Sequence, residues 1–189
     1  MHRLDLPDAD VTVYPGLFPA IEADDHFVRL RGEVAWQQDE IRLFGRTARV
    51  PRLTAWQGDA AYSYSGIDNR PAPWTPTVAA IKSRLEALTG RLFNGVLLNL
   101  YRDGRDGLGW HSDNETGLAR GGVIASASFG ARRRFRLRHR ATRAARALDL
   151  GHGDVLIMAG ATQANWQHCI AKTARPVGPR INLTFRTIA

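Results

Sequence analysis

Between Arg180 and Arg186 polar and apolar residues alternate without a break: Arg180, Asn182, Thr184 and Arg186 are interleaved with Ile181, Leu183 and Phe185. Successive side chains leave a β-strand on opposite faces, so a strand here aims two guanidiniums, an amide and a hydroxyl at one side. On a surface strand that row is merely solvated. Inside a barrel it can grip a carboxylate, because an arginine fork donates two parallel hydrogen bonds to such a group. The segment Arg134-Phe-Arg-Leu-Arg138 has the same period, with Phe135 and Leu137 facing a core and the three arginines facing water.

Further strands are expected at Val96–Tyr101, Ile124–Phe129 and Asp154–Met158, punctuated by Gly or Asp-Gly. Val78, Ile81, Leu85 and Leu88 recur at helical spacing and predict a helix over 77–89, with Thr75 as cap, Pro76 in the first turn and Gly90 at the end. A shorter helix is expected around Ala20 to Leu30. Short strands behind one good helix point to a mainly β fold with flanking helices, of which a jelly roll is the natural candidate. At 189 residues, 44% hydrophobic and 23% charged, the chain suits one domain over residues 1–189 and excludes disordered, collagenous and disulfide-scaffold classes.

The sole cysteine, Cys169, has no partner for an internal disulfide, which suits a reducing compartment. Acidic residues stand near the start where a secretory signal needs an apolar stretch, and apolar runs fall far short of the ~20 residues of a membrane span. The expectation is a soluble cytoplasmic monomer.

The net charge of +8 has an address. Arg132, Arg133, Arg134, Arg136, Arg138, Arg140, Arg143 and Arg146 fall in one stretch without a single acid. Such a stripe is either a solvated basic face or a seat for a polyanion.

His111 and Asp113 are one residue apart, so an extended segment directs both to the same side. With His168 from a neighbouring strand they would make a two-histidine, one-carboxylate face with open positions, which favours Fe(II) that must also bind a cosubstrate and O2. His-x-Asp alone is a frequent coincidence. Its weight comes from the dicarboxylate-binding row at 180–186.

Taken together, Asn99-Leu-Tyr101, Trp110-His111-Ser-Asp113-Asn-Glu115, Ser126-Ala-Ser-Phe129-Gly130, His168 and Arg180-Ile-Asn182-Leu-Thr184-Phe-Arg186 occur in an order and spacing that resembles the AlkB-type dioxygenases. These are Fe(II)- and 2-oxoglutarate-dependent enzymes that remove alkyl groups from nucleic-acid bases. The resemblance covers roughly residues 40 to 188. Pro51-Arg52, Gly58-Asp59-Ala60 and Tyr62-Ser-Tyr64-Ser65-Gly66 are most similar to the branch with the human nuclear double-strand DNA repair member.

The resemblance implies a double-stranded β-helix core over 93–189, preceded by helices and nucleotide-recognition hairpins over 1–92. It implies His111, Asp113 and His168 as catalytic iron ligands. Arg186 would hold the far carboxylate of 2-oxoglutarate and Arg180 would lie by the near one, with Asn99, Tyr101 and Asn182 completing that pocket. Tyr64 and His111 would sandwich a flipped base, with Tyr62, Ser65 and Glu115 near its polar edge. Leu43 and Phe44 would form a finger that fills the gap in the duplex, and Arg52 would lie near the orphaned base. Arg132, Arg133 and Arg134 are expected on the DNA backbone. The implied reaction is oxidative demethylation of 1-methyladenine and 3-methylcytosine in duplex or single-stranded DNA, releasing formaldehyde, succinate and CO2. The alternatives are a hydroxylase or demethylase of RNA or protein on the same scaffold, and a non-catalytic metal-binding cupin-like module.

Overall fold

The computed structural model describes residues 1–43, 46–59, 62–64, 67–69, 71–113 and 122–188, with side chains within 41–46 and 60–70 left out. In chain order the first part comprises β1 (His2–Arg3), β2 (Asp10–Tyr14), α1 (Ala20–Glu33), β3 (Glu40–Leu43), β4 (Arg46–Arg49), β5 (Leu53–Gly58), β6 (Tyr62–Tyr64), β7 (Ile67–Asn69) and α2 (Pro76–Thr89). The second comprises β8 (Gly95–Tyr101), β9 (Leu108–His111), β10 (Ile124–Gly130), β11 (Arg133–His139), β12 (Ala145–Leu150), β13 (Val155–Ala159), α3 (Thr162–Asn165), β14 (Trp166–Ile170) and β15 (Arg180–Arg186).

The strands form a seven-stranded sheet, β1-β2-β13-β10-β15-β8-β5, a four-stranded sheet, β12-β11-β14-β9, and the hairpins β3-β4 and β6-β7. From β8 onward the chain passes back and forth between the two larger sheets, and their paired strands run antiparallel. This winding is the expected jelly roll.

Both faces of the seven-stranded sheet are covered. On one, Val96, Leu98, Ala125, Ala127, Phe129, Ile181, Leu183 and Phe185 pack with Leu30 of α1 and Val78, Ile81 and Leu85 of α2. On the other, Val11, Val13, Leu156 and Met158 meet Phe135, Leu137, Trp166 and Ile170 of the four-stranded sheet. A fully buried side chain of this kind contributes about 1.5–3 kcal/mol. The consequence for function lies in β15: Ile181, Leu183 and Phe185 face the helices, so the alternate residues Arg180, Asn182, Thr184 and Arg186 must face the space between the sheets.

The helix expected over 77–89 is α2, and Gly90 ends it in the left-handed region at φ 64°, its N–H donating to Glu86 O at 2.8 Å. The start differs from expectation. Thr75 makes no side-chain cap; Glu33, at the end of α1, instead accepts from the Thr77 N–H at 3.2 Å and its hydroxyl at 2.9 Å. A carboxylate 44 residues away thus satisfies the helix start and ties the two helices together. Strands from the N-terminal part also enter the barrel: β1 and β2 extend the large sheet beyond β13, and β5 closes its other end against β8. Gly153, in the turn before β13, takes φ 78°, and a Cβ there would stand 2.1 Å from Phe18 O. Among the described residues no helix is long and apolar enough to cross a membrane.

Candidate metal and cosubstrate site

His111 ends β9 and His168 stands in the middle of β14, directly opposite in the strand register. Their rings lie 4.2 Å apart between centroids. Asp113 follows two residues after His111, and its Oδ2 lies 3.5 Å from His168 Nε2. One potential ligand atom from each of the three residues falls within 4.8 Å of the others. The His111 Nδ1–H donates to Gly109 O at 2.8 Å, which leaves Nε2 as the ligating nitrogen. Phe135 stacks on the His168 ring at 5.2 Å and fixes its plane.

Electrostatics favour the ligating forms. Burial, reinforced by His111, lowers the His168 pKa to about 3, and burial also lowers that of His111 against the pull of Asp113. Both imidazoles are therefore neutral at neutral pH, as ligation requires. Burial alone would raise the Asp113 pKa, but Arg186 and the two histidines outweigh it and hold the carboxyl below its usual range. Asp113 Oδ2 is buried and has no hydrogen-bond partner. A buried carboxylate oxygen left that way is costly unless a cation faces it.

The backbone bearing these ligands is itself tethered. Ser112 donates its hydroxyl to Trp166 O at 2.8 Å and accepts from Arg140 Nη2 at 2.7 Å. Asp113 N–H donates to Gln163 Oε1 at 2.9 Å. Sequence reasoning missed Ser112 and Gln163, since a lone polar residue carries no spacing signal, and it read Phe135 from the alternation of 134–138 as a core residue without its contact to His168.

Facing the ligands across one cavity is the row from β15, with Asn99 and Tyr101 from β8 and Ser126 from β10. Arg180 and Arg186 are each 1% exposed, which excludes the surface-strand setting. Arg180 donates to Ser128 Oγ at 2.9 Å, while its Nε and Nη1 have no hydrogen-bond partner. Its guanidinium stands over the Tyr101 ring at 5.4 Å, and burial lowers its pKa to about 10. Arg186 donates to Thr184 Oγ1 at 2.9 Å and approaches Asp113 Oδ1 at 3.6 Å. Asn182 is held by Ser126 Oγ and Ala127 O at 2.8 and 2.9 Å.

Two expectations are corrected. Arg52 is buried rather than placed for an orphaned base: its Nε donates to Asn99 Oδ1 at 2.7 Å, so it braces the cosubstrate wall from within. Arg133 is also buried and donates to the carbonyls of Asp103, Asp106 and Ala171 at 3.1, 2.9 and 2.9 Å. It lies on the inward face of β11, while Arg132 and Arg134 are exposed. Leu43 ends β3 and pairs with Arg46; its side chain, like Phe44, lies outside the described residues. Tyr62 and Tyr64 are the ends of β6, and their side chains, with Ser65 and Glu115, also lie outside them.

A family model described as the 2OG-Fe(II) oxygenase superfamily matches residues 10–186. The chain belongs to this superfamily. Mouse DNA oxidative demethylase ALKBH2 is 40% identical to this chain over 188 residues, covering 93% of this chain and 79% of the relative. Human alpha-ketoglutarate-dependent dioxygenase alkB homolog 3 is 44% identical over 188 residues, covering 94% of this chain. The chain spans 66% of the length of that relative. Both AlkB branches therefore match, beside the single one expected. A solved structure described as that of OsALKBH1 superposes with a TM-score of 0.63 at 18% identity, covering 98% of this chain and all of that one, and supports the jelly-roll fold.

Fe(II), 2-oxoglutarate and O2 are the metal and cosubstrates of this superfamily, and the donor set fits them. Two neutral imidazoles and an orphaned carboxylate oxygen suit a divalent iron, and the unpaired N–H groups of Arg180 suit a carboxylate.

Proposed function

We propose that the oxygenase removes N-alkyl groups oxidatively from nucleic-acid bases, with 1-methyladenine and 3-methylcytosine in DNA as its substrates. The observation that carries this reading is the meeting of the His111, Asp113 and His168 cluster with the buried Arg180–Arg186 row in one cavity. The likeness to a DNA oxidative demethylase at 40% identity supports the choice of substrate.

With iron(II), 2-oxoglutarate and O2 bound, the site supplies an oxidation that turns N–CH3 into N–CH2OH while 2-oxoglutarate leaves as succinate and CO2. The hydroxymethyl group then departs as formaldehyde: the C–N bond breaks with its electron pair left on the ring nitrogen, and the hydroxyl proton passes to water, which discharges the cationic lesion.

The chain's own residues hold and orient. His111, Asp113 and His168 hold the metal and leave its other positions to ligands. Arg186 and Arg180 anchor the two ends of a dicarboxylate, so the cosubstrate enters in one direction. Leu108, Phe135 and Ile170 line the same cavity and keep water from the oxidised carbon. The target base must leave the duplex to reach this cavity, at a cost of a few kcal/mol that a mispaired lesion lowers. In this reading Tyr64 stacks on the extruded base and Tyr62, Ser65 and Glu115 meet its edge. Glu115 suits the positive charge of both lesions. Leu43, which ends β3, and the following Phe44 fill the vacated space.

The test is succinate and formaldehyde release with Fe(II), 2-oxoglutarate and oligonucleotides bearing one lesion, offered as duplex DNA, single-stranded DNA and RNA. Stoichiometric release from methylated DNA is the expected result. Absence of turnover on any base lesion, with turnover of a protein substrate, would replace the reading.

A further inference from the structure

Two buried guanidiniums stand against the buried ring of Tyr101. Arg180 Cζ lies 5.4 Å from the ring centroid and Arg133 Cζ 5.6 Å, both inside the roughly 6 Å over which a cation is drawn to an aromatic face. The first contact follows from the strand register, in which Arg180 is opposite Tyr101. The second crosses from the other sheet, since Arg133 begins β11.

The two arginines are satisfied differently. Arg133 donates through Nη1 to Asp103 O and through Nη2 to Asp106 O and Ala171 O. The first two carbonyls belong to the connection between β8 and β9, and the third follows β14. One guanidinium thus ties the approach to β9 and the exit of β14 to a ring on β8. Arg180 donates to Ser128 Oγ and leaves Nε and Nη1 open. The charge of Arg133 reaches it: burial, with Arg133 adding to it against the pull of Tyr101, lowers the Arg180 pKa to about 10.

Tyr101 and Arg180 line the cavity that also holds the metal ligands, and Arg133 stands behind that lining. Any effect it has on a bound ligand passes through the ring. Without Arg133 the ring can shift towards the start of β11, and Arg180 loses the surface that sets its guanidinium.

We propose that Arg133 is a positioning residue for 2-oxoglutarate: it pins the Tyr101 ring against Arg180 and so keeps the open Nε and Nη1 of Arg180 aimed at the near carboxylate. The proposal rests on the Arg180–Arg186 row as the cosubstrate seat and is independent of the nucleic-acid substrate. It accounts for an arginine at this position, because a planar group with several fixed donors meets three carbonyls and a ring at once, which a lysine ammonium does not.

The test is calorimetric titration of 2-oxoglutarate into the full chain loaded with Mn(II), with no oligonucleotide present. In Arg133→Lys the Kd for 2-oxoglutarate is expected to rise about tenfold. Mn(II) affinity without cosubstrate should stay within about twofold of wild type, because Ser112 and Gln163 tether the metal ligands separately. Arg133→Gln is expected to show the same pattern and serves where the lysine variant does not fold. Leu30→Ala, a core truncation on the opposite face of the large sheet, controls for lost stability and should keep wild-type affinity for 2-oxoglutarate. Tyr101→Leu should weaken binding by itself, and adding Arg133→Lys to it should cost nothing further, since the ring through which Arg133 acts is gone. An unchanged Kd in the Arg133 variants would overturn the proposal, as would an equal loss in Leu30→Ala, an equal loss of Mn(II) affinity, a full further loss in the Tyr101→Leu background, or failure of both Arg133 variants to fold. A wild-type chain that does not bind 2-oxoglutarate would remove the seat and the proposal with it, whereas a failed repair assay with these binding results intact would remove the nucleic-acid reading alone.

Discussion

Arg140 Nη2 donates to Ser112 Oγ at 2.7 Å, and Ser112 is the residue between His111 and Asp113. An exposed cation of the arginine stretch therefore reaches the backbone that carries two of the three metal ligands. Partners of this kind fix the direction of a ligand more than its identity, and their loss typically costs 10- to 100-fold in metal affinity or activity. Arg140→Ala and Ser112→Ala are each expected to weaken Mn(II) binding by about tenfold, measured by calorimetric titration. Unchanged affinity in both would dissociate the tether from the site.

Replacing a ligand is a harsher change than loosening one. His111→Ala, Asp113→Ala and His168→Ala each leave two protein donors for the metal. Formaldehyde release should fall at least about 100-fold in each, in line with the loss of a positioned catalytic group. Full turnover in any of the three refutes its assignment as a ligand.

Arg186→Lys keeps the positive charge but removes the planar fork that meets both oxygens of a carboxylate. Hydrogen bonds to charged groups are worth about 1.5–3 kcal/mol, so the KM for 2-oxoglutarate should rise roughly 10- to 100-fold. The KM for the methylated oligonucleotide should not move. If the oligonucleotide KM rises instead, β15 faces the wrong ligand.

The histidines also set a pH dependence for the metal-free protein. His168 has a pKa near 3 in the folded chain against 6.5 in an exposed one, and His111 and His26 are shifted the same way, by burial first. Below pH 6.5 the unfolded chain takes up protons that the folded chain refuses, so stability is full above 6.5 and declines as pH falls towards 3. Urea midpoints at pH 7.5, 6.5, 5.5 and 4.5 should be level over the first interval and fall over the rest, with a shallower fall in His168→Gln. A midpoint that climbs on acidification through 6.5 would contradict the buried, neutral state.

Arg133 should behave as a strut and not as part of a basic face. Arg133→Met leaves three carbonyls without their donor, and at 3% exposure little water can replace it. A loss of about 3 kcal/mol in chemical denaturation is expected. A variant with wild-type stability but a flatter salt slope on DNA would return Arg133 to the phosphate-binding set.

The sequence made β15 and β11 readable because period-2 patterning follows directly from strand geometry, and the His-x-Asp pair gained meaning from the row at 180–186. Arg133 and Arg52 show where such reading stops. Each is an arginine in a polar or basic context, and only the fold reveals that it points inwards to carbonyls or to Asn99. Strand β12 gave no signal because its alternation breaks at Ala147-Leu148 and its alanines are poor strand formers, as befits an exposed edge strand. The Thr75 cap failed for a related reason: local pattern ranked a neighbouring hydroxyl above a carboxylate that only tertiary structure brings near.

The position of β15 also bears on how the protein is made. It is hydrogen-bonded on both sides, to β10 and to β8, yet it comes after the other strands among the described residues. Until residue 186 has left the ribosome, those two neighbours present open edges and the helices have only part of a sheet to cover. The same seven residues bring the last sheet pairing and both arginines of the dicarboxylate row. A nascent chain stalled before them holds all three metal ligands but lacks the arginine anchors for 2-oxoglutarate, so closure of the barrel and completion of the cosubstrate pocket occur together.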